Sequence, residues 1–185
     1  MGLTLFHDYT SPASAVAVAR LQRLADDGLD VTFEGFEAIG VDAVLPPSLD
    51  VLAAIDDLAE AAQAEGVVLR RPPALPPTAA AHAVGVLAES RGLGASWRQT
   101  CYRAFWADGA DISETLVLIA LAQEAGLQRT VVQEALNDRA FVATTRRAMG
   151  RHRRNGVGGV PTILTQRTLI PGLLPEAELR ALAAY

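Results

Sequence analysis

The pattern of apolar and polar positions at the start of the chain predicts a strand, then a helix. The run Leu3–His7 is short and mostly apolar, as expected for a buried strand. Ser11 and Pro12 then suit the N-cap and the first position of a helix. The apolar residues of that helix form one stripe, which consists of Val16, Leu21 and Leu24.

A second strand follows this helix. Gly28 suits the position just after a helix end, and residues 31–36 again read as a strand. Because a strand, a helix and a strand follow one another directly, we expect a parallel strand pair with a right-handed crossover.

The middle of the chain has helical periodicity. An acidic amphipathic helix is predicted over 49–64, and the proline-rich residues 71–77 form a connector that cannot be regular structure. Asp111 and Glu114 have capping-box spacing, and Gly126 would close that helix. Further helices are predicted over 79–91, 95–107, 112–125, 129–136 and 138–154.

The end of the chain returns to strands. Residues 155–161 form a glycine-rich turn, 162–165 and 168–170 read as two short strands, and 175–184 as a closing helix. The order β-α-β, helical block, β-β-α predicts one α/β domain with an inserted helical subdomain. We place its first part at 1–77, the insertion at 78–150 and its second part at 151–185.

Charge is distributed unevenly along the chain. The formal net charge of −5 argues against nucleic acid as a partner. Residues 25–69 hold eleven carboxylates and no Arg, whereas 139–175 hold seven Arg and no carboxylate. This split predicts pairing between the two regions, within one chain or across a homodimer, and leaves attraction of an anionic ligand as an alternative. The arginines near the end of the last predicted long helix are Arg146, Arg147, Arg151, Arg153 and Arg154.

The start of the chain has neither a basic segment nor an apolar run of signal-peptide length, and no segment is apolar enough to predict a membrane span. We therefore expect a cytoplasmic protein. Cys101 is the one cysteine, so no intrachain disulfide forms; its aromatic neighbours favour a small buried apolar role. The histidines His7, His82 and His152 lack metal-ligand spacing, and only His7, near the first helix, is a candidate base.

Two segments carry a resemblance to the DsbA family of thioredoxin folds. The chain reads Asp8-Tyr-Thr-Ser-Pro-Ala-Ser14 where that family has Asp-x-x-Cys-Pro-x-Cys, and Gly159-Val-Pro-Thr162 where it has its Val-Pro-Thr turn. The residues 103–113 and 122–127 resemble the FrnE-type branch. The resemblance implies a thioredoxin-like fold, with Ser11 in place of the reactive thiol and a cis Pro161 facing it.

The same Ser-Pro-x-Ser pattern resembles 2-hydroxychromene-2-carboxylate isomerases and kappa-class glutathione transferases. That likeness implies Ser11 as the catalytic residue and glutathione as a cofactor. It also implies a binding cleft formed by Asp8, Tyr9, Thr10, Pro12, Ser14, Val160, Pro161 and Thr162. Two segments differ from these relatives: residues 172–175 lack their Asp-Arg pair, and Pro77 stands where their insertion begins with Asn.

The chemistry available at Ser11 follows from its place at a helix start. Unpaired backbone N–H groups and the helix dipole favour an anion there. A serine cannot exchange disulfides and is a poor nucleophile without a base, but its hydroxyl can donate a hydrogen bond to a thiolate. We therefore expect a site for a small molecule or an extended peptide. An isomerase or glutathione-dependent transferase is one interpretation, and a catalytically silent binding protein the other; a disulfide oxidoreductase is disfavoured.

Overall fold

The computed structural model describes residues 2–184, which begin with the predicted strand, helix and strand. These are β1 (Leu3–His7), α1 (Pro12–Asp26) and β2 (Val31–Gly35). Ser11 is the N-cap of α1, as its sequence predicts. Gly28 has φ +98° after the helix, and the N–H groups of Gly28 and Leu29 donate to Ala25 O and Leu24 O. This pair of bonds is a Schellman motif, which ends α1 and returns the chain to the sheet.

The remaining elements follow the predicted order. The helices are α2 (Leu49–Asp57), α3 (Ala59–Ala64), α4 (Ala79–Glu89), α5 (Gly94–Trp106), α6 (Thr115–Glu124), α7 (Arg129–Asn137), α8 (Arg139–Arg154) and α9 (Glu176–Ala184). The hairpin strands are β3 (Thr162–Thr165) and β4 (Thr168–Pro171). Helix α8 extends past residue 150, where we expected the helical insertion to end.

The four strands form one mixed sheet in the order β2-β1-β3-β4. Strand β1 pairs parallel to β2 and antiparallel to β3, with Phe6 opposite Thr162. The main core packs α1, α4, α5, α6 and α9 around one cluster that contains Leu5, Trp97 and Trp106. The chain is therefore an α/β thioredoxin-like fold with helices between its two strand pairs.

Two predicted helices differ from those observed. The helix expected over 49–64 is interrupted at Leu58, whose φ of −93° and ψ of 1° separate α2 from α3. The helix expected from residue 112 begins only at Thr115. The predicted capping box is wrong, because Asp111 Oδ1 accepts hydrogen bonds from the N–H and hydroxyl of Ser113 instead, at 2.9 and 2.6 Å. Glu114, the N-cap residue, makes no side-chain cap bond.

Among residues 2–184, none of the helices combines the length and apolar character needed to cross a membrane.

Candidate functional site

Ser11 lies at the turn that joins β1 to α1. Its φ of −94° and ψ of 118° are extended, and its Oγ accepts a hydrogen bond of 3.1 Å from Ser14 N. The side chain is half-buried. Among the described residues, nothing accepts a hydrogen bond from this hydroxyl, so its proton is available to a ligand. The arrangement presents a hydrogen-bond donor at the positive end of a 15-residue helix.

The turn before β3 reaches the same end of the sheet. The Val160–Pro161 peptide bond is cis, and the pairing of Phe6 with Thr162 places this bond beside the end of β1. Pro161 O accepts from Gly172 N at 2.8 Å, which fixes the turn on its far side. Within the described part of the chain, the N–H and C=O of Val160 have no hydrogen-bond partner. An extended ligand could pair with them.

Most of the predicted site residues are buried, and only two offer their side chains to solvent. Ser11 and Val160 are half-buried. The buried members of the set are Asp8, Tyr9, Thr10, Pro12, Ser14, Pro161 and Thr162. Direct side-chain contact with a ligand therefore falls to Ser11 and Val160, while the buried residues act by holding the two turns in position.

Asp8 connects the turn to two other segments. Its Oδ2 accepts a hydrogen bond of 2.8 Å from Ala38 N, and its Oδ1 lies 3.4 Å from His82 Nε2. Its own N–H faces Ser14 Oγ at 3.4 Å. Because the carboxyl group is 1% exposed, these contacts replace the water that a charged group would otherwise require. Asp8 thus links α4 and the segment after β2 to the turn that carries Ser11.

Two aromatic residues of α5, which the sequence reasoning did not assign to the site, bind the backbone of the same turn. The Tyr102 hydroxyl donates to Asp8 O at 3.0 Å, and Trp106 Nε1 donates to Tyr9 O at 2.9 Å. Tyr102 and Trp106 are one helical turn apart, so they reach two consecutive carbonyls. In the sequence, only the spacing of two aromatic side chains with polar tips pointed to this role. It could not identify their partners, because these lie more than ninety residues away.

His7 is not placed to act as a base for Ser11. Its ring is buried and its Nδ1 lies 3.0 Å from the Tyr102 hydroxyl oxygen. Because the single Tyr102 proton goes to Asp8 O, His7 Nδ1 must carry the proton that this oxygen accepts. Burial is the main cause that holds the pKa of His7 well below 6.5, and the nearby His82 and Arg98 lower it further.

This burial predicts a loss of stability in mild acid. The relevant pH window lies between the lowered pKa of folded His7 and its ordinary value of 6.5. In this window the unfolded chain binds more protons than the folded chain. The free energy of unfolding therefore falls as the pH drops through it. The expected slope from this one group approaches 1.4 kcal/mol per pH unit. Denaturant unfolding at several pH values below 6.5 measures it, and His7→Gln should flatten the slope; equal slopes in both proteins would refute the assignment.

Cys101 is buried as expected, with 0% exposure in the main core cluster. Burial, with a smaller contribution from Asp8, raises the pKa of its thiol well above 9.0. A protonated and enclosed thiol is neither a nucleophile nor a redox centre.

The arginines of α8 pair with the acidic region inside the same chain. Arg146 binds Glu37 at 2.9 Å and Asp42 at 2.6 Å, and hydrogen bonding to Arg146 lowers the pKa of Asp42. Arg153 donates to Glu37 O at 2.8 Å, and its guanidinium lies 4.9 Å from the centre of the Phe36 ring. The predicted charge pairing is thus confirmed within the chain for Arg146, whereas Arg153 binds a backbone carbonyl and an aromatic ring of the same acidic region. Together these contacts fasten α8 to the segment that Asp8 also holds.

The turn that carries Ser11 opens to the surface. A cavity of about 70 Å³ beside Tyr9 and a groove of about 750 Å³ along α1 include neither Ser11 nor Pro161 in their walls. A ligand at Ser11 would therefore lie outside both of these spaces.

Comparisons with known proteins agree with this geometry. The family model of the DSBA-like thioredoxin domain matches residues 3–182. A protein described as a probable DsbA oxidoreductase from Streptomyces coelicolor is 27% identical, with a TM-score of 0.83 over 100% of this chain and 89% of that one. No curated protein sequence matches significantly.

Two further solved structures share the fold. A 2-hydroxychromene-2-carboxylate isomerase is 21% identical, with a TM-score of 0.80 over 98% of this chain and 93% of its own. The cytosolic disulfide reductase DsbM from Pseudomonas aeruginosa, solved with glutathione, is 24% identical, with a TM-score of 0.67 over 100% and 96% of the two chains.

Proposed function

Because the chain belongs to the family of DSBA-like thioredoxin domains, a family of oxidoreductases and isomerases, we propose that it binds a small thiol at the start of α1. Glutathione is the first candidate. In this proposal the Ser11 hydroxyl donates a hydrogen bond to the ligand's sulfur, in the place where a redox relative has a cysteine.

The observation that carries the proposal is the hydrogen bonding of Ser11 itself. Its Oγ accepts a hydrogen bond from Ser14 N, which leaves the hydroxyl proton free to be donated to a ligand. A thiolate at this position would meet a positioned donor and the positive end of α1 together. Neither group needs to move to receive the anion, since Tyr102 and Trp106 already hold the turn.

The unpaired peptide groups of Val160 favour an extended ligand that has a peptide backbone of its own. The Val160 N–H and C=O lie at the same end of the sheet as Ser11 and have no partner in the described part of the chain. Glutathione is a tripeptide and offers a complementary N–H and C=O beside its cysteine. Glutathione is also present in the DsbM structure, which shares this fold.

The chemistry that follows binding does not include dithiol exchange by this chain alone. Such exchange needs two thiols, and the one cysteine of the chain is buried 90 residues along the sequence from Ser11. A glutathione-assisted isomerisation or transfer remains compatible with Ser11, because the ligand's thiolate would be the nucleophile and the protein would supply its stabilisation.

A second candidate, a binding protein without catalysis, is favoured by one observation. The imidazole nearest in sequence to Ser11, His7, points into the interior and bonds to Tyr102. A ligand at Ser11 would therefore receive no help from this histidine in moving a proton during a reaction. Substrate turnover, as distinct from binding, separates the two candidates.

Calorimetric titration with glutathione tests the proposal. The wild-type chain should bind, and Ser11→Gly should bind about 10- to 100-fold more weakly, because a hydrogen bond to a charged group contributes about 1.5–3 kcal/mol. Glycine is chosen because it caps a helix almost as well as serine, so the fold is retained. Ser48→Gly, at the N-cap of α2, is the matched control and should bind like wild type. No heat of binding at millimolar glutathione would refute the proposal.

A further inference from the structure

The outward face of α8 carries a row of arginines that the fold does not use. Arg147, Arg151 and Arg154 follow one another at spacings of four and three residues, so they share one face of the helix. All three residues are exposed. By contrast, Arg146 and Arg153 turn inward and bind the segment after β2. We call Arg147, Arg151 and Arg154 the basic stripe.

No carboxylate of the same chain neutralises the basic stripe. Among residues 2–184 none of its arginines forms an ion pair, and their one side-chain hydrogen bond runs from Arg147 Nη2 to Thr144 Oγ1 at 2.7 Å. Residues 139–175 contain no Asp or Glu, so no acidic residue lies one helical turn away from any of the three. The stripe is therefore a local excess of positive charge on a chain whose net charge is −5.

The outward face of α2 carries the opposite charge. Asp50, Ala53 and Asp57 are exposed and follow one another at spacings of three and four residues, whereas Ile55 is buried on the inner side. Neither Asp50 nor Asp57 forms an ion pair within the described part of the chain. Residues 25–69 contain no Arg that could neutralise them from nearby in the sequence. We call Asp50 and Asp57 the acidic stripe.

The two stripes match in length. Asp50 and Asp57 are seven residues apart, and so are Arg147 and Arg154. Seven residues of an α-helix rise about 10.5 Å and return to nearly the same side. Two such helices laid side by side can therefore form both ion pairs at once. Leu49 lies next to Asp50 and is 83% exposed, so the same contact would take an apolar side chain out of water.

The folded chain keeps its own two stripes apart. Within residues 2–184 no ion pair joins α2 to α8, and the carboxylates that Arg146 reaches are Glu37 and Asp42, in the loop before α2. A second copy of the chain supplies to each stripe the charge that it lacks. Because each copy carries both stripes, the contact can form twice about a two-fold axis.

We propose that the basic stripe docks on the acidic stripe of a second copy of this chain. Exposed ion pairs contribute little each, so the association is weak and depends on ionic strength. Contacts of α8 with α8, or of α2 with α2, would bring like charges together, which favours the α2–α8 contact over these alternatives. Neither Ser11 nor a bound thiol takes part in this association.

Sedimentation velocity at several protein concentrations, in the absence of any thiol, tests the proposal. At about 0.1 M salt the Debye length is about 10 Å, which screens the repulsion between the net charges but not contact between the stripes. The sedimentation coefficient of the wild-type chain should then rise with protein concentration. At about 1 M salt it should stay at the value of the monomer. A wild-type chain that is monomeric at millimolar concentration in the lower salt would overturn the proposal.

Charge reversal identifies the two surfaces. Arg147→Glu with Arg154→Glu makes the outward face of α8 acidic, and Asp50→Arg with Asp57→Arg makes that of α2 basic. Each double variant should be monomeric on its own, because its two faces then carry the same sign. An equimolar mixture of the two should associate again, since each contact between them joins opposite charges.

Arg129→Glu with Arg167→Glu is the matched control. Both arginines are exposed, form no ion pair among residues 2–184 and lie outside α8. Their reversal changes the net charge by the same amount, so this variant should associate like wild type, and circular dichroism verifies that each variant is folded. A mixture of the charge-reversed variants that stays monomeric, or a control that loses association equally, would overturn the proposal. Because no thiol is present, these results are independent of glutathione binding at Ser11.

Discussion

A cysteine introduced at residue 11 should have a thiol pKa of about 7 or lower, against about 8.5 for a free cysteine, because helix N-termini lower thiol pKa values into the range of about 3.5–7.5. The Ser11→Cys side chain would accept the hydrogen bond of Ser14 N and face the unpaired first turn of α1. Both contacts stabilise the thiolate over the thiol. At neutral pH about half or more of the introduced groups would then be ionised, compared with a few per cent for an ordinary cysteine.

Ultraviolet absorbance of the thiolate as a function of pH measures this pKa. The wild-type chain is the blank, because burial keeps the Cys101 thiol protonated. Ser48→Cys is the matched control: it also caps a helix, but it is exposed and Asp50 lies in the first turn of α2. Its thiol should titrate closer to the ordinary value. If the thiol at residue 11 has a pKa equal to or higher than that of the thiol in Ser48→Cys, this result would contradict an anion-stabilising site at Ser11.

Replacing Asp8 by alanine should lower the free energy of unfolding by about 1.5–3 kcal/mol, the range for lost hydrogen bonds to a charged group. The substitution leaves Ala38 N–H without its acceptor at 2.8 Å and removes the partner of His82. The gain from no longer burying a charge offsets part of this loss.

Urea denaturation measures the effect of Asp8→Ala. Asp8→Asn keeps an oxygen for Ala38 N–H and should recover part of the loss. Asp57→Ala removes an exposed carboxylate and should change stability by no more than about 0.5 kcal/mol. Equal, small effects at residues 8 and 57 would show that Asp8 does not hold the turn together.

Local sequence rules were sufficient for most of the elements. Ser11 and Pro12 begin α1 because the N-cap and first-position preferences act within a few residues, and Gly28 ends it through a positive φ. The same kind of rule failed at Asp111. There the side chain had a nearer donor in Ser113, and the helix began later than the pattern predicted.

The support of the candidate site could not be predicted by local rules, since its contacts join distant parts of the chain. Tyr102 and Trp106 bind the carbonyls of residues 94 and 97 positions earlier. In the sequence they appear only as aromatic neighbours of Cys101. Only the packing of α5 against the end of β1 shows that their polar tips hold the turn before Ser11.

The same limit applies to His7. A histidine at the end of a strand beside a helix start suggested a base, but alternation along β1 places its ring on the inner side, against Tyr102 and His82. Strand periodicity predicts which residues share a face, but it does not show which face meets the helical insertion. The charge pairing of Arg146 with Glu37 could be predicted as a class of contact, although not as this pair.

The central claim is that the Ser11 hydroxyl holds a thiolate. Calorimetric titration with glutathione and with S-methylglutathione, on wild type and Ser11→Gly, tests it most directly, because the methylated ligand has the same backbone and no thiolate. Wild type should bind glutathione more tightly than the methylated form, and in Ser11→Gly this preference should shrink by about 10-fold or more, to the part that the dipole of α1 supplies. Equal affinity for both ligands in the wild-type chain, or a preference for glutathione of undiminished size in Ser11→Gly, would contradict the claim.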